Sequence, residues 1–144
     1  MGKKRIIKTK GGGMSPEMKA RALNKIPKKK LSLGNVYIHA TYNNTRVTFT
    51  DEIGNVIMWS SAGNLGFKGA KKATPFAASK VAELISEKAI KIGVKEINME
   101  VKGIGGGRES AIRTFGNKGF VVNSLKDTTP IPHNGPRPRK PRRV

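Results

Sequence analysis

Residues 74–102 read TPFAASKVAELISEKAIKIGVKEINMEVK, and a change of period inside this stretch decides the fold. Thr74 is a good N-cap, Pro75 suits the first helical position, and Gly93 stands where a helix ends. Between them Ala77, Val81, Leu84, Ile85, Ala89 and Ile92 share one face at three- and four-residue spacing, and Lys80, Glu83, Glu87 and Lys91 point the other way. That is an amphipathic helix packed on a sheet. From Val94 the period drops to two: Ile97, Met99 and Val101 alternate with Glu96, Asn98 and Glu100 up to Lys102, as in a strand.

The same reading extends upstream. Val36, Ile38 and Ala40 alternate with Tyr37, His39 and Thr41, and Asn43-Asn44 offers a turn. Val47 and Phe49 alternate with Arg46 and Thr48, residues 51–55 make the next turn, and residues 56–60 make a third strand. Three strands on short turns predict an antiparallel meander with half-buried faces. Downstream, a glycine loop over 103–107 leads into a short helix through Arg108, Ala111, Ile112 and Phe115, and residues 120–125 read as a last strand. Strands alternating with helices imply parallel pairing in this half. The expected fold is α/β: a mixed five-stranded sheet with two helices, flanked by basic tails.

Charge divides the chain in the same way. The net formal charge is +20, from 29 Lys and Arg against 9 Asp and Glu in 144 residues. Residues 1–33 carry 11 basic and 1 acidic side chains, residues 130–144 carry 5 and none, and residues 34–129 carry 13 and 8. The division is a basic N-terminal extension (1–33), an α/β body (34–129) and an Arg/Pro-rich C-terminal tail (130–144). Such an excess calls for a polyanionic partner. Within the extension, Ser15, Pro16 and Glu17 suit the start of a short helix.

Several classes of function are excluded or disfavoured. The chain has no cysteine, which removes disulfides, thiolate metal sites and cysteine nucleophiles. Two apolar residues after the basic start are too few for a signal-peptide core, position six is Ile6 where myristoylation wants Ser or Thr, and no apolar run approaches a bilayer-spanning length. The chain reads as soluble and intracellular. His39 and His133 lie in different segments without carboxylate or histidine neighbours at helical spacing, so no metal site is expected and His39 is placed on a sheet face. In Gly103-Ile104-Gly105-Gly106-Gly107-Arg108, Arg108 stands where a dinucleotide fingerprint needs its third glycine, and a P-loop ending is absent. No cofactor is expected.

The remaining features point to phosphate. The loop Gly105, Gly106, Gly107 and Arg108 offers backbone amides, a helix N-terminus and a forked guanidinium to phosphate oxygens. The loop Gly63, Asn64, Gly66, Phe67, Lys68, Gly69, Lys71 and Lys72 sets one aromatic among three lysines. The lysines suit phosphates, while Phe67 fits either an unpaired base or the core, and Trp59 is equally divided between core and stacking surface. The tail holds Arg137, Arg139, Lys140, Arg142 and Arg143 among prolines that reduce the entropy lost on docking.

Four motifs together resemble a known family. Residues 60–69 (SSAGNLGFKG), 74–78 (TPFAA), 107–113 (GRESAIR) and 127–135 (DTTPIPHNG) occur in the order and character of small-subunit ribosomal protein eleven. The resemblance covers about 34–144 and is closest to the bacterial and organellar branch. It implies a ribonuclease H-like fold and a structural, non-enzymatic role in the cytoplasmic ribosome. The implied place is the platform of the small subunit, bridging 16S-type rRNA helices beside the cleft that holds the Shine–Dalgarno duplex with mRNA. Small-subunit proteins seven and eighteen and initiation factor three are the implied protein partners, with no membrane and no small-molecule substrate. By motif, rRNA contacts are implied at Asn43, Asn44 and Arg46, along Gly63–Lys72, at Gly103–Arg108 with Arg113, and from His133, Asn134 and Gly135 to Arg143. The chain departs from the family pattern at Ile104, where a proline is expected, and in the additional stretch 11–27.

Two rivals fail on residues. A ribonuclease H-like nuclease needs clustered carboxylates, one of them on the first strand, and residues 35–42 contain no acid. A DNA-compacting or membrane-surface protein needs a basic helix face, whereas the long helix here is mixed in charge.

Overall fold

The computed structural model describes residues 30–143, together with Pro16. Pro16 is helical; the rest of the proposed N-terminal helix and the remainder of 1–29 lie outside the described residues. The body runs β1 (Leu33–Ala40), β2 (Thr45–Thr50), β3 (Val56–Ser61), a 3-10 turn (Gly69–Ala73), α1 (Pro75–Ile92), β4 (Glu96–Lys102), α2 (Arg108–Asn117) and β5 (Val121–Asp127). The strands form one sheet in the order β3-β2-β1-β4-β5. β1, β2 and β3 pair antiparallel, while β1 with β4 and β4 with β5 pair parallel. This is the expected five-stranded mixed α/β fold with two helices.

The alternation in each central strand sends one set of side chains under the helices. Val36, Ile38, Val47, Phe49, Met58, Ile97, Met99 and Val101 meet Ala77, Val81, Ile85 and Ala89 of α1 and Ala111 and Phe115 of α2 in one core. α1 is held at both ends as its sequence predicts. Thr74 Oγ1 accepts from Ala77 N at 3.3 Å, and Gly93, in the left-handed region at φ 97°, returns its N–H to Ala89 and Ile90. The periodicity missed four buried residues, Ala78, Ala82, Ser86 and Lys88; the stem of Lys88 is packed away on α1, and burial pushes its ammonium pKa below the ordinary value.

Both helices cover the same face. The opposite face, carrying Tyr37, His39, Arg46, Thr48, Trp59, Asn98 and Glu100, has nothing packed on it among the described residues. A hydrogen-bonded ladder crosses it: Ser124 Oγ donates to Asn98 Oδ1, Asn98 Nδ2 to Asn35 Oδ1, and Asn35 Nδ2 to the Asp51 carbonyl.

Candidate nucleic-acid interface

The topology sorts the connections into two ends. β1, β3, β4 and β5 finish, and β2 begins, at one end of the sheet. The turn 41–44, the loop 62–74, the loop 103–107 and the start of the tail therefore meet there. α1 and α2 both begin at this end, so two helix N-termini add their positive dipole ends to it. Residues 41–46, 61–74, 102–108 and 127–143 contain eleven Lys and Arg and one acid, Asp127. The far end, 30–33, 51–55, 93–96 and 117–121, balances Lys30, Lys95 and Lys118 against Asp51, Glu52 and Glu96. In parallel α/β sheets, ligands bind at the carboxyl ends of the strands, and here that end carries the charge.

Its loops are joined physically. Gly105 N donates to Ala40 O at 3.0 Å, Ala62 N to Thr45 O at 3.0 Å, and Thr128 N to Val101 O at 2.9 Å. A side chain at Gly103, Gly105 or Gly107 would collide with Ala40 O, Thr41 O or Thr45 Oγ1, respectively. These glycines bring loop and turn into contact, while Gly106 and Ile104 remain on the surface.

Arg108 is already engaged. Its guanidinium donates to the Gly103 carbonyl at 2.6 Å, to Thr129 Oγ1 at 3.3 Å and to Asp127 Oδ2 at 2.7 Å. Thr129 donates to Asp127 through both its hydroxyl and its amide. Those bonds, Thr129 ahead of Arg108, hold the Asp127 carboxyl well below the usual carboxylate range. The cluster ties β5 and the root of the tail to the second glycine loop, so Arg108 shapes the interface and has its charge matched.

Burial settles the aromatic choices. Phe67 is 4% exposed and belongs to the core, so its ring is not available to a base. The exposed rings at this end are Tyr42, in the turn 41–44, and Phe76, which is edge-on to Phe67 at 6.1 Å with Lys80 Nζ 5.6 Å from its centroid. Trp59 is 48% exposed on the open sheet face, with the Arg46 guanidinium 4.8 Å from its ring centroid. Sequence reasoning missed Phe76 and Lys102. Helical period puts Phe76 outside the Ala77–Val81 face, and strand alternation puts Lys102 on the open face at the charged end.

The other expected residues fall in three places. Asn43, Asn64, Gly63, Gly66, Lys68, Gly69 and Lys71 are exposed at the charged end, with Lys72 and Asn44 half-buried beside them. His133, Asn134, Gly135, Arg137, Arg139, Lys140, Arg142 and Arg143 lie exposed along a tail without regular structure. Arg113 stands apart on α2, 3.9 Å from Glu109, beside a polar cleft lined by Ser79, Ser110, Thr114 and Asn117. Among the described residues no group of three or more His, Asp or Glu could hold a metal ion, and no helix is long and apolar enough to cross a membrane.

Residues 34–143 match the family model described as ribosomal protein S11. Similar proteins include the small ribosomal subunit protein uS11 of Treponema pallidum (strain Nichols), 58% identical over 117 residues that cover 81% of this chain and 93% of the relative. That of Helicobacter pylori (strain ATCC 700392 / 26695) is 55% identical over 124 residues, covering 85% and 95%. That of Nautilia profundicola is 57% identical over 118 residues, covering 81% and 91%. With a match across the whole described sheet and both helices, the chain belongs to the ribosomal protein S11 family, in its bacterial type, a family of ribosomal proteins and not of enzymes.

Proposed function

We propose that the chain is a structural constituent of the small ribosomal subunit in the cytoplasm, binding 16S-type rRNA through the charged end of its sheet and its C-terminal tail. The observation that carries this reading is the segregation of six cations (Arg46, Lys68, Lys71, Lys72, Lys102 and Arg108) and two helix N-termini at one end, where a tail with five more cations begins, against a charge-balanced far end. The lysines of 68–72 neutralise phosphates, the exposed amide of Gly106 approaches the sugar-phosphate chain, and the Asn43-Asn44 turn sits beside them. The tail from His133 to Arg143 threads between RNA helices, and the basic extension 1–33 adds a second arm. Neutralised phosphates release counterions, which drives association without any chemical step.

The finer placement follows the family. The chain sits on the platform, bridges rRNA helices and borders the mRNA cleft that holds the Shine–Dalgarno duplex. Proteins seven and eighteen and initiation factor three are the neighbours proposed.

The test compares the full chain with a Lys68→Gln/Lys71→Gln/Lys72→Gln variant for binding to a 16S-type platform RNA fragment as salt is raised. Each phosphate contact contributes about −0.7 to −0.9 to the log–log salt slope, so the variant loses about two units of slope. Lys95→Gln/Lys118→Gln at the far end leaves the slope unchanged. Equal slopes for all three proteins would overturn the reading.

A further inference from the structure

We propose that the RNA path continues from the charged end onto the open sheet face, where the Trp59–Arg46 pair receives the base of an unpaired nucleotide. This extends the RNA-binding reading above and rests on it.

The placement comes from strand register. Arg46 pairs with His39 on one side and Ser61 on the other, and His39 pairs with Lys102. That row, Lys102–His39–Arg46–Ser61, is the last across the open face before the loops. It contains no acid, so it prolongs the positive charge of the loops onto the sheet. The next row inward runs Glu100–Tyr37–Thr48–Trp59. Its one acid, Glu100, lies three strands away from the indole.

Trp59 has the makings of a stacking surface. It is the single tryptophan of the chain and sits half-exposed on an edge strand. Arg46, itself exposed, lies over the ring and fixes it. Bases stack on indole rings and on guanidinium planes, and a cation beside the ring also meets the phosphate.

The rest of the face argues against a protein partner. It carries a polar ladder of Ser124, Asn98 and Asn35, with Lys126 and Glu100 paired beyond it. A protein docking site would show a contiguous apolar patch. Trp59 and the half-buried Tyr37, set apart by Thr48 on a polar, basic-rimmed sheet, fit a single nucleotide strand better, with stacking for the base and charge for its phosphates.

The single tryptophan makes the test direct. The full chain is titrated with a seven-residue oligoadenylate, an abasic ribose-phosphate strand of equal length, and an RNA duplex, while Trp59 fluorescence is followed. The expected result is quenching by oligoadenylate only. Binding is measured separately by anisotropy of labelled strands. Trp59→Ala weakens oligoadenylate binding roughly 5- to 100-fold and leaves the abasic strand within about 2-fold. Trp59→Phe restores most of the affinity and Trp59→Leu does not, which separates stacking from loss of fold.

Oligoadenylate and abasic strand bound equally, with no quenching, would overturn this inference and leave the charged-end reading standing. Binding of neither would remove the reading beneath it as well. Equal quenching by duplex would mean groove docking and would overturn base stacking. Shielding of Trp59 only on adding another small-subunit protein would assign the face to protein.

Discussion

Replacing Gly105 by Ala tests how the interface is built. The added Cβ would lie 2.8 Å from the Thr41 carbonyl carbon and closer still to its oxygen, where real Cβ atoms essentially never come within 3.0 Å. The obstruction is backbone, held by Thr41 N donating to Asn44 O at 2.8 Å, so no side chain can swing aside. The loop has to lift off the turn, which strains or breaks the 3.0 Å bond from Gly105 N to Ala40 O. Losing that bond costs about 1 kcal/mol, and forcing a methyl into a packed contact costs about 1–3 kcal/mol. Reduced freedom of the unfolded chain returns about 0.4–1 kcal/mol. The net loss is about 1–3.5 kcal/mol, or a melting temperature lower by roughly 3–11 °C for a chain of this size.

Gly106→Ala is the control, because its Cβ would meet nothing nearer than Ala73 O at 4.0 Å. Its melting temperature should stay within about 2 °C of the parent, a shift below about 1 kcal/mol. The assay is thermal unfolding of both full-length variants by circular dichroism in one buffer. Lifting the loop also separates two parts of the charged end, so Gly105→Ala should bind platform RNA more weakly at temperatures where it is folded. If Gly105→Ala and Gly106→Ala melted together with the parent, the close packing of loop against turn would be refuted.

The remaining predictions concern the tail and its root. Asp127 has its pKa lowered from 3.8 by Thr129 and Arg108, so its stabilisation is complete above the ordinary carboxylate value and is lost as pH falls through the depressed one. Asp127→Asn should therefore melt below the parent by a constant margin from pH 7 to about pH 5, with the gap closing below about pH 4 in a pH series of thermal melts. A constant gap down to strong acid would show that the carboxylate charge is irrelevant. Deleting 136–144 removes five cations and leaves every element from β1 to β5 intact. It should flatten the salt slope of rRNA binding and weaken incorporation into subunits, while the melting temperature is unchanged.

The fold was readable where local chemistry decides structure. α1 begins and ends where Thr74, Pro75 and Gly93 dictate, and alternation located the central strands because they have one buried face. β5 was harder, since all seven of its residues are exposed and an edge strand with no buried face has no period to read. Its boundary therefore moved from the expected 120–125 to Val121–Asp127. Lys88 escaped notice because its hydrocarbon stem, and not its charge, answers to burial.

The site was readable only in its parts. Lysines beside glycines point to phosphate, but nothing local says that 41–46, 61–74, 102–108 and the root of the tail share one end. That follows from parallel pairing of β1, β4 and β5, which is a long-range property. The same holds for Arg108, whose partner Asp127 is 19 residues away. Phe67 and Phe76 differ by one packing decision, and the core took the first.

The central claim, that RNA lies against the carboxyl end of the sheet, is tested most directly by tethered cleavage. The chain has no cysteine, so a single one placed at Asn64 or Ile104 on the charged end, or at Glu52 or Lys118 on the far end, can carry an iron chelate that generates hydroxyl radicals. Each labelled full-length chain is assembled into small subunits and rRNA cleavage is mapped. Strong, localised cleavage from Asn64→Cys and Ile104→Cys, with little from Glu52→Cys and Lys118→Cys, is the result predicted. Stronger cleavage from the Glu52 and Lys118 positions would place the RNA at the far end and contradict the account.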